Sequence, residues 1–287
     1  MTDIKITHNA NEREKIQAAY STASGCYHNT RMGDYQRASA RHLLVDLNPV
    51  PAKGDKVLDL GCGTGIGLFV LNELYPFLGK LVGFDVSSEM LSNASQEAQN
   101  LNHSFSWVQG DAHHLPFPDG FFNLVISHNA FHWMTNRPQV LSELKRILEP
   151  GGRVALLFEG AGARENMMAV RRKVLSQHGL TPPSGFGSKA ENSTAWNSIS
   201  SVEQLVEEAG FEVVDAWARE SYQYIPVNVI SQQFSSTAAY WQAGLDQADI
   251  DKILEELKEE LSELATPRGF REILYPVNII ARKPIAS

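Results

Sequence analysis

The sequence predicts an α/β protein with a doubly wound sheet of about seven strands, an antiparallel last strand and a helical cap. Strand-like apolar runs alternate with helix-like segments between residues 56 and 217, which is typical of right-handed βαβ units in a largely parallel sheet. A glycine-rich turn directly follows the first of these runs. The 287 residues are 43% hydrophobic, enough for one such sheet with an added cap.

The strands are predicted from short apolar runs and the helices from apolar residues at helical spacing. The predicted strands are residues 56–60, 80–85, 105–109, 122–127, 153–158, 211–217 and 271–282. The predicted helices are residues 12–23, 35–47, 66–74, 87–99, 138–148, 165–178 and 246–265, with one more between a capping box at 201–204 and Gly210.

This order of elements predicts four segments. They are an N-terminal helical cap over residues 1–50, an α/β core over 51–219, a helical and aromatic cap over 220–270 inserted between the last two strands, and the last core strand over 271–287. Pro49 and Pro51 end the first segment, because the residue before a proline disfavours helical geometry.

The charge balance and the cysteine content exclude several classes of protein. With 25 Lys and Arg against 33 Asp and Glu, the net charge is −8, so we expect no nucleic-acid partner. No run of about 18 apolar residues and no apolar leader occur, so we expect no membrane span and a cytoplasmic location. Cys26 and Cys62 are too few for a disulfide framework or a zinc site.

The turn VLDLGCGTGIG, residues 57–67, has the layout of a nucleotide site. Gly61, Gly63 and Gly65 permit a tight turn and a close approach of the backbone to a ligand. The helix that starts there offers free N–H groups. Asp85 ends the second strand, 20 positions after Gly65, where a carboxylate can accept hydrogen bonds from a ribose diol.

The spacing of the glycines argues against a dinucleotide. In the fingerprint G-x-G-x-x-G the third glycine would fall at Ile66 or Leu68. The chain instead has G-x-G-x-G preceded by Asp59, whose carboxylate would repel a pyrophosphate and attract an ammonium group. A nicotinamide dehydrogenase is therefore the last alternative.

Three motifs resemble those of the class I methyltransferases, which use S-adenosyl-L-methionine on a Rossmann-like sheet. They are LDLGCGTG with a strand-ending Asp85, GDAHHLPF after the third strand and LEPGG before the fifth. The resemblance covers residues 57–152, about a third of the chain. It is closest to the group that contains ubiquinone/menaquinone-type and trans-aconitate methyltransferase-like enzymes.

The resemblance implies a role for each matching residue. Asp59 would face the methionyl amino group, Asp85 would hold the ribose hydroxyls and Asp111 would accept a hydrogen bond from the adenine amino group. The other implied cofactor contacts are Gly61, Cys62, Gly63 and Gly65 at the methionyl group and ribose, Val86 and Met90 at the adenine, Ala112 beside Asp111, and Ser127 or His128 near the sulfonium. For Met90, packing in the core is an equal alternative.

The stretch SHNAFHWM, residues 127–134, follows the fourth strand, where open α/β sheets place their ligands. Its Phe-His-Trp triplet resembles trans-aconitate, malonyl-carrier-protein and juvenile-hormone-acid methyltransferase-like enzymes, which methylate carboxylates. We expect His128, His132 and Trp133 to be catalytic residues, because indole and imidazole N–H groups can hold a carboxylate. Alternatively, Trp133 plugs the loop and His132 binds a backbone carbonyl.

The need for a base depends on the acceptor. A carboxylate is already ionised at neutral pH, whereas a phenol or alcohol would need a base. His28, His128 and His132 are the candidates, with a pKa near the working pH. The adjacent pair His113 and His114 invites a metal-site interpretation, which we reject because no acid or cysteine cluster supports it.

Aromatic residues outside the core could complete the site. Tyr20, and with it Tyr27, could close over the sulfonium, where an aromatic face would stabilise the cation. The aromatic residues of the second cap either line an acceptor pocket or anchor the cap to the core. They are Tyr222, Tyr224, Phe234, Tyr240 and Trp241.

We therefore expect an S-adenosyl-L-methionine-dependent methyltransferase that acts without a metal on a small-molecule acceptor. In-line O-methylation of a carboxylate or hydroxyl is the leading hypothesis, since a cap of this size would enclose a small acceptor away from water. C- or N-methylation of a quinone or natural-product scaffold is a second hypothesis. A non-catalytic protein that binds S-adenosylmethionine is a third.

Overall fold

The computed structural model describes residues 31–45, 47–160, 163–180, 198–236 and 245–285. Several residues singled out above lie outside these ranges, so their predicted roles stay predictions. They are Tyr20, Cys26, Tyr27, His28, Tyr240 and Trp241, together with the predicted helix over 12–23.

The described residues form nine strands and eight α-helices. The strands are β1 (Val57–Leu60), β2 (Leu81–Asp85), β3 (Phe105–Gln109), β4 (Phe122–His128), β5 (Leu148–Glu159), β6 (Glu212–Ala218), β7 (Ser221–Ile225), β8 (Phe270–Leu274) and β9 (Pro276–Arg282). The helices are α1 (Arg31–Val45), α2 (Ile66–Leu74), α3 (Ser88–Ala98), α4 (Arg137–Ile147), α5 (Glu165–Gln177), α6 (Ile199–Glu208), α7 (Val227–Ser236) and α8 (Gln247–Leu264).

Seven strands form one sheet in the order β3-β2-β1-β4-β5-β9-β6. Strands β1 to β5 are parallel, and β9 runs antiparallel between β5 and β6. This confirms the predicted α/β fold class with an antiparallel last strand. The strand order reverses between β1 and β4, and ligands of open α/β sheets bind at the carboxyl ends of the strands flanking such a point.

Alternation along the central strands sends side chains to two apolar layers. Leu58 and Val125 pack in the layer that includes α4 and α6, whereas Val57 and Ile126 pack in the layer that includes α1 and α2. Strands buried on both faces become continuously apolar, which is why the core strands were readable from the sequence. No helix in the described part of the chain is long and apolar enough to cross a bilayer.

Two local predictions were wrong. The single strand predicted over 271–282 is divided between β8 and β9, which belong to different sheets. Pro276 begins β9, a strand position that tolerates a residue without an N–H. Helix α6 is capped by Ser198, whose hydroxyl accepts a hydrogen bond from the Ser201 N–H at 3.2 Å, so Ser201 is not the capping residue.

The insertion between β6 and β9 contains its own two-stranded sheet, β7 with β8, besides α7 and α8. Together with α5 these elements enclose an apolar cluster, which we call the cap core. Phe234 is buried in the cap core, whereas Tyr222 is half-exposed beneath the guanidinium of Arg271. Tyr224 lies beneath Arg268 in the same way. These contacts lie within the cap, so both alternatives for the aromatic residues stay predictions.

A buried carboxylate joins the cap sheet to α5. Glu272 of β8 accepts hydrogen bonds from the N–H groups of Asn166 at 3.2 Å and Met167 at 2.7 Å, in the first turn of α5. Its own neighbour Ile273 also donates its N–H, at 2.8 Å. A carboxylate at a helix N-terminus satisfies donors that have no partner within the helix and interacts favourably with the helix dipole.

Replacing Glu272 should therefore destabilise the fold. In Glu272→Ala the buried N–H group of Met167 and the N–H group of Asn166 lose their acceptor, so we expect the free energy of unfolding to fall by about 2–4 kcal/mol in chemical denaturation. Glu255→Ala, which removes an exposed carboxylate on α8, is the matched control and should change little. Equal stability of the two variants would contradict the capping role.

Candidate active site

Asp85 holds the glycine turn between β1 and α2 in place. Its Oδ2 accepts the Gly63 N–H at 2.8 Å and its Oδ1 accepts the Ser87 N–H at 2.9 Å. Gly61, Gly63 and Gly65 have φ angles of 71°, 52° and 82°, in the left-handed region that favours glycine. The carboxylate predicted for the ribose thus also anchors the turn to the end of β2.

Trp107 of β3 braces the same turn from the side. A Cβ at Gly65 would lie 2.8 Å from its indole, and one at Gly83, its neighbour across the strands, would lie 2.4 Å away. Phe105 stacks on Trp107 at 5.8 Å between ring centroids. Trp107 is not among the site residues predicted from the sequence, although two aromatic residues at alternate positions of one strand indicate a shared face.

Asp59 lies buried beneath the first turn of α2, with 1% of its surface exposed. A Cβ at Gly67 would be 2.6 Å from its Oδ2, so only glycine leaves room for this carboxylate. Burial, together with the nearby charge of Asp85, raises the pKa of Asp59 to about 8 against a hydrogen bond from the Leu68 backbone. Its Oδ1 has no hydrogen-bond partner among the described residues.

The segment SHNAFHWM packs directly on the glycine turn. A Cβ at Gly61 would be only 2.3 Å from the Cβ of Ala130, so the two backbones meet there. Asn129 has a left-handed φ of 53° and donates from Nδ2 to Oε1 of Gln36 in α1 at 3.0 Å. The fold therefore brings the predicted cofactor turn, the predicted acceptor segment and the N-terminal helix α1 together.

His128 and His132 are both held neutral. Burial lowers the pKa of His128 to about 4. Burial and the charges of Arg164 and Arg137 lower the pKa of His132 to about 3. The expectation of a base with a pKa near the working pH is therefore wrong for these two residues. A neutral imidazole still offers one N–H donor.

Arg137 fixes the end of this segment. Its Nη2 donates to the backbone carbonyl of His132 at 3.0 Å, which holds the short 3₁₀ turn Phe131–Trp133 against the start of α4. The rings of His132 and Trp133 lie 5.2 Å apart between centroids. Because Arg137 and Arg164 both act on His132, this end of the site carries positive charge.

The remaining predicted cofactor residues have mixed placements. The hydroxyl of Ser127 donates to the Leu60 carbonyl at 2.9 Å, so it joins β4 to the end of β1. Met90 is only 2% exposed, which favours the packing alternative. Val86 accepts a hydrogen bond on its carbonyl from Gln109 at 3.0 Å. Burial and the charges of Asp85 and Asp59 raise the pKa of the Cys62 thiol. The contacts of these four residues with a cofactor stay predictions.

Asp111 is paired with His113. Its Oδ1 lies 2.6 Å from Nδ1 of His113, whose Nε2 lies 2.6 Å from the Thr135 carbonyl. His113 thus joins the loop after β3, which contains Ala112, to the loop before α4. The Asp-x-His spacing was the available signal for this brace. The described residues contain no cluster of three or more potential metal ligands.

A family model described as a methyltransferase domain matches residues 58–156. This range runs from β1 into β5. It contains the glycine turn, both buried carboxylates Asp59 and Asp85, and the whole of SHNAFHWM. The family match therefore coincides with the part of the fold that builds the site.

Two curated relatives illustrate the similarity. The 2-phytyl-1,4-naphtoquinone methyltransferase of Synechococcus elongatus is 40% identical over 106 residues, which are 36% of this chain and 46% of the relative. The malonyl-[acyl-carrier protein] O-methyltransferase of Pectobacterium atrosepticum is 34% identical over 151 residues, which are 52% of this chain and 54% of the relative. The chain spans about half the length of these relatives.

Solved structures share the fold over most of the chain. Phosphoethanolamine N-methyltransferase 2 of Haemonchus contortus, in complex with phosphomonomethylethanolamine and S-adenosylhomocysteine, matches with a TM-score of 0.56 at 16% identity, over 99% of this chain and 61% of that one. The YcgJ protein of Bacillus subtilis matches with a TM-score of 0.55 at 17% identity, over 88% and 100%. At such identities the likeness is one of fold.

The residues present fit S-adenosylmethionine. The unpartnered Oδ1 of Asp59 suits an ammonium group, because a buried carboxylate oxygen needs a donor. The Asp85 carboxylate has lone pairs left beyond the two N–H groups it accepts. A Cβ atom added at Gly63 would have no atom within 4 Å, so the turn is open on that side.

Ionisation of Asp59 should accompany cofactor binding. With a pKa of about 8, this carboxyl is protonated in the free protein at pH 7, and an ammonium ligand stabilises its ionised form. Calorimetric titration with S-adenosylhomocysteine at pH 7, in buffers of different ionisation enthalpy, should show release of about one proton. Asp59→Asn should release none and bind more weakly. Equal proton release by both proteins would contradict this role.

The raised pKa of Asp59 also determines the direction in which stability changes with pH. The folded state binds this proton more tightly than the unfolded state, in which the pKa of Asp is about 4. The resulting stabilisation is complete below pH 4 and is lost as the pH rises through about 8. Denaturation of Asp59→Asn over this range should lack that part of the decline, and an unchanged pH profile would argue against it.

Asp85→Asn separates the two tasks of Asp85. The amide keeps the size of the side chain but loses its charge and places a donor against a backbone N–H. We expect the affinity for S-adenosylhomocysteine to fall about tenfold to a hundredfold. If Asp85 holds the ribose, the wild type should also prefer the natural ligand over its 2′-deoxy analogue and the variant should not. Asp119→Asn, which changes an exposed carboxylate, is the control and should leave the affinity unchanged. Unchanged affinity of Asp85→Asn would refute the role of Asp85 in cofactor binding.

The family match, the strand order and the buried carboxylates all concern the same part of the chain. The turn after β1 and the segment after β4 lie on either side of the point where the strand order reverses. Open α/β sheets place their ligands at such a point, and the family match covers both segments. Over residues 58–156 the chain therefore matches a methyltransferase domain, and over similar stretches it resembles methyltransferases of known function.

Proposed function

We propose that this chain transfers a methyl group from S-adenosylmethionine to a small organic acid, with a carboxylate oxygen as the acceptor. The observation that carries this proposal is the neutral state of His128 and His132 beside the glycine turn. A site with hydrogen-bond donors and weak bases suits an acceptor that is already ionised. Carboxylic acids meet that condition at neutral pH, whereas phenols and alcohols do not.

S-adenosylmethionine, when bound, supplies an electrophilic methyl group on a sulfonium. The chain binds and orients: Asp59 holds an ammonium group, Asp85 holds a diol, and the close contact of Gly61 with Ala130 sets the distance between the turn and the acceptor segment. In-line transfer needs the acceptor about 3 Å from the methyl carbon, and holding it there supplies much of the acceleration. The buried surroundings keep water away from the reacting atoms.

The acceptor side favours an anion. The indole N–H of Trp133 is a donor only, and a neutral His132 can donate one N–H. The positive charges of Arg137 and Arg164 act on the same place, as their effect on the pKa of His132 indicates. One carboxylate oxygen held by such donors would leave the other oxygen directed at the methyl group.

C-methylation of a quinone is the second candidate. The naphtoquinone methyltransferase of Synechococcus elongatus, at 40% identity, favours it. A carbon nucleophile needs a proton removed, and histidines with pKa values of about 3 and 4 are weak bases for that step. A protein that binds S-adenosylmethionine without turnover is the third candidate, because the turn and Asp85 indicate binding and not chemistry.

The proposal extends to partners and location. We propose a small-molecule acceptor and no nucleic-acid partner, since the net charge of −8 opposes a phosphate backbone. The cytoplasm is the location that we propose, since two cysteines are too few for the disulfide framework typical of secreted domains.

Product analysis with Trp133→Phe tests this function. Incubation with methyl-labelled S-adenosylmethionine and panels of organic acids and quinones should give an alkali-labile methyl ester and S-adenosylhomocysteine. Trp133→Phe keeps an apolar ring but loses the N–H, so we expect the acceptor KM to rise about tenfold with unchanged affinity for S-adenosylhomocysteine. Trp217→Phe, in β6, is the matched control and should behave as the wild type.

Each other outcome selects a different conclusion. An alkali-stable methylated product would favour the quinone or scaffold alternative. Tight binding of S-adenosylhomocysteine without turnover on any acid or quinone would favour the non-catalytic alternative. Normal kinetics of Trp133→Phe would assign the indole to packing.

A further inference from the structure

Arg171 is a buried cation inside the cap. It lies on α5 with 7% of its surface exposed. Its Nε and Nη2 are buried and have no hydrogen-bond partner among the described residues. The guanidinium carbon lies 5.8 Å from the centroid of the Phe234 ring, and Met167 and Val174 on the same helix belong to the cap core. An apolar cluster therefore surrounds a charged group.

The carboxylates near Arg171 along the chain are engaged elsewhere. Glu165 pairs with Arg172, and Glu272 caps α5. Oε1 of Glu159 lies 3.4 Å from Nη2 of Arg164. Burial lowers the pKa of Arg171 to about 10, with no contribution from an acid, so the side chain remains cationic at neutral pH. A buried charge without a counter-charge is destabilising by several kcal/mol, and folds retain such groups mainly for function.

Arg171 lies on the helix that begins near the acceptor segment. Arg164 precedes α5, just after β5 ends at the carboxyl edge of the sheet, and its charge acts on His132. Met168 and Arg171 are spaced i and i+3 within α5 and therefore share one helix face. Seven residues of helix at 1.5 Å each place Arg171 about 10 Å along the axis from Arg164.

We infer that Arg171 binds an oxyanion, either a carboxylate or a phosphate, that the methyl acceptor carries at the end remote from the atom that is methylated. This inference rests on the proposed function. Nε and Nη2 form one edge of the guanidinium, which grips an oxyanion through two parallel hydrogen bonds. The Phe234 ring restrains the plane of the group. The acceptor thus has two ends: the methylated group beside His132 and Trp133, and an acidic group in the cap.

Arg171→Met and Arg172→Met form a matched pair for the test. They remove neighbouring cations of α5, one buried and one exposed. Thermal unfolding is measured with saturating S-adenosylhomocysteine and increasing malonate or inorganic phosphate, against chloride at equal ionic strength. We expect Tm of the wild type and of Arg172→Met to rise with an oxyanion and that of Arg171→Met not to respond. The larger response identifies a carboxylate or a phosphate.

Stability supplies an independent readout. Without an oxyanion, Arg171→Met should have a higher Tm than the wild type, because an uncompensated buried charge is replaced by an apolar side chain of similar length. A residue needed only for packing would give a lower Tm. Arg171→Lys keeps the charge without the fork, so the oxyanion concentration for a half-maximal shift should rise about tenfold. It replaces Arg171→Met if that variant does not fold.

The two proposals fail in different ways. Failure of the wild type to bind S-adenosylhomocysteine in calorimetry would overturn the proposed function. Normal binding of that nucleoside with no oxyanion response in the wild type, or with the response retained in Arg171→Met, would overturn the role of Arg171 alone. Normal nucleoside affinity in both Arg171 variants, with the response lost or weakened, supports it.

Discussion

The hydrogen bonds from Gly63 and Ser87 to Asp85 are the contact on which the site depends. They hold a turn whose glycines adopt left-handed geometry against the end of β2, and so they set where α2 begins. The position of α2 in turn encloses Asp59 beneath Gly67. One carboxylate therefore determines the place of another, and the charge of Asp85 adds to burial in raising the pKa of Asp59.

This arrangement divides the mouth of the site into two electrostatic halves. The carboxylates of Asp59 and Asp85 lie in β1 and at the end of β2, whereas the arginines that act on His132 lie after β4 and β5. A cationic ligand on the first side and an anionic one on the second would each relieve an unfavourable burial. Negative charge thus lies on one side of the point where the strand order reverses, and positive charge lies on the other. This is the physical basis for proposing a sulfonium donor and a carboxylate acceptor.

The cap core and its border contain two buried charged residues, which differ in their partners. Glu272 is satisfied by backbone donors and fastens the cap sheet to the helix that continues from β5. Arg171, two turns along that helix, has only apolar and aromatic neighbours among the described contacts. Glu272 therefore needs no ligand, whereas Arg171 is the residue that we propose for an oxyanion of the acceptor. On this proposal, part of the specificity for the acceptor lies in the cap.

The sequence by itself determined the α/β class, the order of strands and helices in the core, the cofactor turn and the nature of the cofactor. The fold and the turn rest on local patterns, namely continuous apolar runs, glycine spacing and one acid at a strand end. The cofactor rests on the resemblance of three motifs to the class I methyltransferases. It did not determine that residues 271–282 divide between two sheets, because strand pairing depends on distant partners. Only the tertiary structure decided the neutral state of His128 and His132 and the isolation of Arg171. Proton affinity and charge pairing depend on burial and on residues far apart in sequence, which no local pattern records.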